Sequence, residues 1–117
     1  MKTLRKYINA LPYPVNLQIV ITDDLTAVKL DGKNREGLSD ASGCVVFVDT
    51  DFWIVLKRDS IQHDIIAHEC FHATHFILDA CGVKFKVSDK HEAFSYFNGY
   101  LNKQVYGQLK KWRIRVK

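Results

Sequence analysis

Between Asp59-Ser60 and Gly82 the chain carries one dominant periodicity, and it dictates the centre of any fold built around it. Ala67, Cys70, Phe71, Thr74, Ile77, Leu78 and Cys81 recur at spacings of three and four. On a 3.6-residue repeat this lays them along one stripe, the expected core-facing surface of a helix. The spacing predicts a helix over 60–81, capped by Asp59 or Ser60 and ended at Gly82. His68, His72, His75 and Asp79 fall on a separate stripe. Two histidines four apart on one helical face can bring both imidazoles to a single metal ion.

His68-Glu69-Cys70-Phe71-His72 therefore reads as His-Glu-x-x-His, the signature of zinc hydrolases. Glu69, about a third of a turn from His68, is positioned to act as a base without being a ligand. The structural alternative, core histidines held by hydrogen bonds, requires a partner for each of three histidines in the stripe. A hydrolytic zinc site needs a third protein ligand and an open fourth position. Glu92, twenty residues after His72, is the expected third ligand, with Asp89 and His91 as rivals. It lies in Ser88–Tyr96, which reads as the first turns of a second helix. Asp89 and Glu92 also have capping-box spacing, so a plain capping role is the competing reading of Glu92.

These residues make the chain resemble the gluzincins, zincin metallopeptidases with a His-Glu-x-x-His helix and a glutamate ligand on a following helix. The likeness rests on His68, Glu69, His72 and Glu92-Ala93 and covers roughly residues 52–105. It extends to small metallopeptidase-like proteins of bacteriophage genomes and, more loosely, to SprT-like and ImmA/IrrE-type intracellular zincins. The resemblance implies Zn2+ on His68, His72 and Glu92, with Glu69 as general base and then general acid. It implies a small zincin-like α+β fold, with a peptide or protein as substrate. The chain departs from the larger gluzincins at Tyr96, four residues past Glu92, where many of them carry a carboxylate. Tyr96 is the candidate oxyanion stabiliser, a role open also to Tyr100 or His75, against the alternative of an aromatic packed on the sheet.

Ahead of the helix the pattern is strand-like. Val15–Ile21 and Thr26–Leu30 alternate, and Val45–Val48 and Phe52–Leu56 are apolar runs joined by Asp49-Thr50-Asp51. About four strands, mainly antiparallel, are expected to pack on the two helices as an α+β layer structure. Thr3–Ala10 is expected to be a short helix halted by Pro12 and Pro14. Asp31–Gly43 reads as a surface loop able to cover a cleft, and Asp23-Asp24 and Asp49-Thr50-Asp51 as turns. The strand over 52–57 leads into the metal helix and is the expected cleft edge, able to pair with an extended peptide. Phe52 and Trp53 are either subsite residues or core.

At 117 residues with 47% hydrophobic content, the chain is read as a single domain over 1–117 with one modest core. No apolar run is long enough for a membrane span, and the N-terminus lacks the apolar core of a signal peptide, so a cytoplasmic protein is expected. Cys70 and Cys81 would stand about 16 Å apart along one helix, too far for a disulfide. Six of the seventeen lysines and arginines lie in 103–117 with no acidic residue, leaving eleven basic against thirteen acidic, about −2, elsewhere. The basic C-terminal segment 110–117, which includes Trp112, reads as a weak contact for nucleic acid or an acidic partner, against a solvated end with Ile114 and Val116 turned inward. The alternative function is a non-catalytic zinc-binding domain that holds a protein or nucleic acid through this segment. Glu69 weighs against it, since a closed structural site needs no base.

Overall fold

A computed structural model describes residues 3–25, 28–30, 33–34, 41–84 and 92–117, with only the backbone at 33–34. Its strands are β1 (Leu4–Ile8), β2 (Asn16–Thr22), β3 (Lys29–Leu30), β4 (Lys33–Asn34), β5 (Gly43–Val48) and β6 (Asp51–Lys57). A 3-10 turn over Arg58–Ser60 then leads into α1 (His63–Ala80), and α2 (Glu92–Lys111) follows. The main sheet runs β1-β2-β6-β5, while β3 and β4 form a separate two-stranded hairpin.

The four-stranded sheet is mainly antiparallel, as expected, but mixed, because its central pair is parallel. β2 and β6 are parallel, from Asn16↔Asp51 to Thr22↔Lys57, and the outer pairs β1/β2 and β5/β6 are antiparallel. Parallel neighbours need a long crossover, and here everything between β2 and β6, β5 included, supplies it. Burial on both faces explains the unbroken apolar run Phe52–Leu56, as expected for an internal strand.

Three expectations are corrected by this topology. Residues 4–8 form β1, not a helix, pairing from Leu4↔Ile21 to Ile8↔Leu17. An eight-residue helix has too few turns to stand alone, whereas β2 offers this segment a full ladder of backbone partners. Of Thr26–Leu30, only Lys29–Leu30 is a described strand, and it pairs with β4 outside the main sheet. The strand over 52–57 is internal, so the edge beside α1 is β5.

Helix α1 starts three residues later than expected, with Gln62 at the N-cap and no side-chain cap bond. Its end is as read: Gly82 adopts φ +80, with Gly82 N–H donating to the Asp79 carbonyl at 3.0 Å and Val83 N–H to Leu78 at 2.8 Å. That pair of bonds is a Schellman closure, which needs the left-handed residue glycine supplies cheaply. The buried stripe is rotated from the expected one. Ile66, Glu69, Cys70, Ala73, Thr74, Ile77 and Leu78 are buried, while Ala67 and Phe71 face outward.

α1 and α2 pack antiparallel on one sheet face. Phe94, Phe97, Leu101, Val105 and Leu109 of α2 join Ile66, Cys70 and Ile77 of α1 over Leu17, Ile19, Ile54 and Leu56. Each such fully buried aliphatic contributes about 1.5–3 kcal/mol of transfer free energy. Phe52 belongs to this core and Trp53 to a second one on the opposite face, with Val20, Leu25, Val28, Leu30 and Val55. At 1% and 5% exposure they are core residues, not subsite residues. Asp23 pairs with Arg58 at 2.8 Å, and Asp49, at φ 54, turns β5 into β6. All three cysteines are free thiols. Among the described residues no helix is long and apolar enough to cross a membrane.

Candidate metal centre

β5 and α1 meet at the sheet edge because Gly43 has no side chain. A Cβ there would stand 3.0 Å from the Val55 carbonyl oxygen, 3.1 Å from Leu56 Cδ2 and 3.2 Å from Glu69 Cγ. All three contacts are tighter than ordinary packing, so glycine at this position lets Glu69 lie against the strand. An open depression of about 310 Å³ results, lined by Gly43, Cys44, Val45, His68, Glu69, His72 and Phe76.

Helical register brings His68 and His72 together as their spacing requires. Their Nε2 atoms are 3.0 Å apart, with ring centroids at 4.5 Å and planes at 79°. Two nitrogens on one tetrahedral zinc, each about 2.05 Å from it, stand about 3.3 Å apart. The pair thus fits a metal ion with a movement of about 0.3 Å on that geometry; without one, the same gap holds an N–H···N hydrogen bond. Phe76 stacks on the His72 ring at 5.7 Å and 9°, and Phe47 leans on Phe76 at 5.0 Å. These aromatics fix the imidazole plane and make the strand side of the depression apolar.

Glu69 is buried, at 5% exposure, beside this histidine pair. Burial raises its carboxyl pKa above the usual range, and the charges of His68 and His72 pull it back down. Cys70, inside the motif, is turned into the core, where burial and the nearby Glu69 charge push its thiol up to about 12. Cys44 is pushed up to about 11 by the same two causes in the same order. Neither thiol has the electropositive setting of a nucleophile or a ready thiolate ligand.

The remaining expected site residues sit elsewhere. Glu92 opens α2, exposed, and among the described residues no group of three or more His, Cys, Asp or Glu side chains is gathered to hold a metal. Ser88, Asp89 and His91 lie outside the described residues, as does most of the expected 31–43 loop. Tyr96 is 76% exposed and lines a different depression, of about 330 Å³, with Leu11, Pro12, Tyr13, Ala93, Phe97 and Tyr100. Tyr100 donates its hydroxyl to the Asn9 carbonyl. His75 stacks on Phe71 at 6.5 Å and meets Phe94 at 5.5 Å, away from the depression's lining.

Gly43, Val45 and Phe76 are site residues that the sequence reading did not single out. Phe76 is four residues past His72 and so on its face, a spacing visible in the sequence. Gly43 heads an apolar run, a placement that signals close backbone approach. A larger depression of about 550 Å³ around Tyr7–Leu17 is lined by no acidic, basic, histidine or cysteine side chain.

The outer edge of β5 bears on what could lie over the histidines. The Lys57 N–H donates to the Ser42 carbonyl at 3.0 Å. In an antiparallel ladder this makes even-numbered β5 residues face β6 and turns the backbone groups of Gly43, Val45 and Phe47 outward. Among the described residues no strand pairs with that edge. Compared with known protein families, curated proteins and solved structures, the chain matches none of them.

Proposed function

We propose that the chain is a minimal zincin-type zinc metallopeptidase that hydrolyses a peptide bond across the β5–α1 depression. The observation that carries this reading is the convergence of His68 Nε2 and His72 Nε2 at 3.0 Å beside a buried Glu69. A buried carboxylate next to two imidazoles is poorly explained by packing alone, since burying an acid costs free energy. It is well explained by proton transfer chemistry.

His68 and His72 would hold the zinc, with Glu92 proposed as third ligand only through a movement of the start of α2 toward them, since the three are not gathered here. When bound, the ion supplies Lewis-acid polarisation of a carbonyl and of water. Glu69 accepts a proton at its carboxylate from the attacking water and delivers it to the departing amine. The outward N–H and C=O groups of Gly43, Val45 and Phe47 align an extended peptide by strand addition, and the Phe47–Phe76 wall excludes water from one side. Tyr96 is proposed as an oxyanion donor only through rearrangement toward the cleft, because its ring now lines the groove beside Leu11 and Tyr13.

The test is a digest of a diverse peptide library by zinc-loaded protein, run beside Glu69→Gln. Cleavage by the wild type that falls about 10²–10⁴-fold in the variant supports the reading. Equal cleavage by both proteins overturns the role given to Glu69, and cleavage by neither overturns the reading in favour of a non-catalytic metal-binding domain.

A further inference from the structure

α2 ends on an arginine where a glycine would be cheaper. Arg113 adopts φ 59, with its N–H donating to the Lys110 carbonyl at 3.0 Å and the Ile114 N–H to Leu109 at 2.9 Å. This is the same closure that Gly82 gives α1. A side chain in the left-handed region is disfavoured, so keeping arginine there costs stability.

Beyond it, the chain is pinned rather than loose. Ile114 and Val116 pack against the main core, Arg113, Arg115 and Lys117 are exposed, and the Lys117 N–H donates to the Ile61 carbonyl at 3.0 Å. Exposure alternates with partial burial from 113 to 117, so Arg113, Arg115 and Lys117 present three cations on the outer side of the segment. Lys103, Lys110 and Lys111 are exposed on α2. Among the described residues none of these six has a carboxylate within ion-pair distance. Attraction to the helix C-terminus accounts for Lys110 and Lys111, but it neither requires Arg113 in that backbone state nor reaches Arg115 and Lys117.

We propose that the row Arg113, Arg115 and Lys117, extended by Lys110 and Lys111, is a preformed binding surface for the phosphate backbone of nucleic acid. The apolar residues of the segment are turned inward, so the row offers no apolar centre for a protein interface and no wedge for a lipid surface. What remains is pre-ordered, exposed positive charge, which suits a polyphosphate and carries no reader of base identity.

Fluorescence anisotropy of the full chain with labelled single-stranded and duplex DNA, in two unrelated sequences each, tests this. Three to five phosphate contacts predict a loss of roughly 20- to 500-fold in affinity between about 50 and 200 mM salt, with no sequence preference. Arg113→Gly is expected to raise the thermal midpoint by about 2–5 °C while lowering the salt slope by about 0.7–0.9. Arg113→Gly with Arg115→Ser and Lys117→Ser is expected to lose binding at least about tenfold and to keep its metal content. Wild-type affinity in the triple variant, salt-insensitive binding, or no binding at low salt overturns the proposal. So does equal affinity for polyglutamate or anionic phospholipid vesicles, which would make the row a general acidic-surface contact.

Discussion

Gly43 and Glu69 meet across the edge of the sheet at close quarters: a Cβ on Gly43 would lie 3.2 Å from Glu69 Cγ, a contact that only a shift of a few tenths of an ångström would relieve. The close approach lets α1 set its acid against β5 while His68 and His72 stay open to the depression. Gly43→Ala should therefore destabilise by about 1–3 kcal/mol, the usual cost of overpacking. In a Glu69→Ala background the cost should shrink by about 0.5 kcal/mol or more, because one of the three crowded neighbours is gone. Denaturant unfolding of the four proteins measures the coupling, and strictly additive effects would mean that Val55 and Leu56 take all of the strain.

Glu69→Gln should separate stability from chemistry. The folded carboxyl has a raised pKa, so the native state holds its proton more tightly than the unfolded chain. Burial then costs nothing below the unfolded pKa, and stability falls as pH rises through the folded value. In chelator-treated protein, Glu69→Gln should melt above wild type at neutral pH, and the two should converge at acid pH. A wild type that melts higher at neutral pH would show that Glu69 is held by attraction to its histidines more than it is penalised by burial.

Thiol chemistry gives a third check. With Cys44 at about 11 and Cys70 at about 12, alkylation of native protein at pH 8 should be slow at both. Half-buried Cys81, just past α1, should be modified first. Peptide mapping after brief iodoacetamide treatment reads the order, and rapid labelling of Cys70 would mean that α1 is not packed as described.

Glu92→Ala should weaken zinc binding by about tenfold or more while leaving the helix pair folded, if this residue is the third ligand. Asp89→Ala and His91→Ala are the comparison. Unchanged affinity in Glu92→Ala with loss in either of the others would move the ligand to the preceding segment.

The parts of this molecule legible in the sequence are those set by local periodicity. The His-Glu-x-x-His helix announced itself through three-and-four spacing and Gly82, and His68 and His72 face one another because a helix admits nothing else at that spacing. The helix expected over Thr3–Ala10 gives way to a strand at Leu4–Ile8, where Arg5, Lys6 and Tyr7 are all exposed and show no period of two, and pairing with β2 decides the state. Which strand forms the cleft edge depended on the parallel β2/β6 pairing, a contact between distant segments with no local signature. The unbroken run Phe52–Leu56 did hint that this strand is internal. The three-and-four spacing places Ala67 and Phe71 on the core stripe, yet both are exposed, because hydrophobicity alone does not fix the rotation of a helix to within one residue. The position of Glu92 relative to the histidines is tertiary in the same sense, set by the connection between α1 and α2 rather than by its twenty-residue spacing.

Whether His68 and His72 hold a metal ion is read most directly from metal content. The full chain, purified without a histidine tag and equilibrated with limiting zinc, should carry about one zinc per chain by elemental analysis. His68→Ala with His72→Ala should reduce that to background while far-ultraviolet circular dichroism stays native-like. Zinc retained at full stoichiometry in the double variant, or absent from the wild type at saturating zinc, would contradict the account.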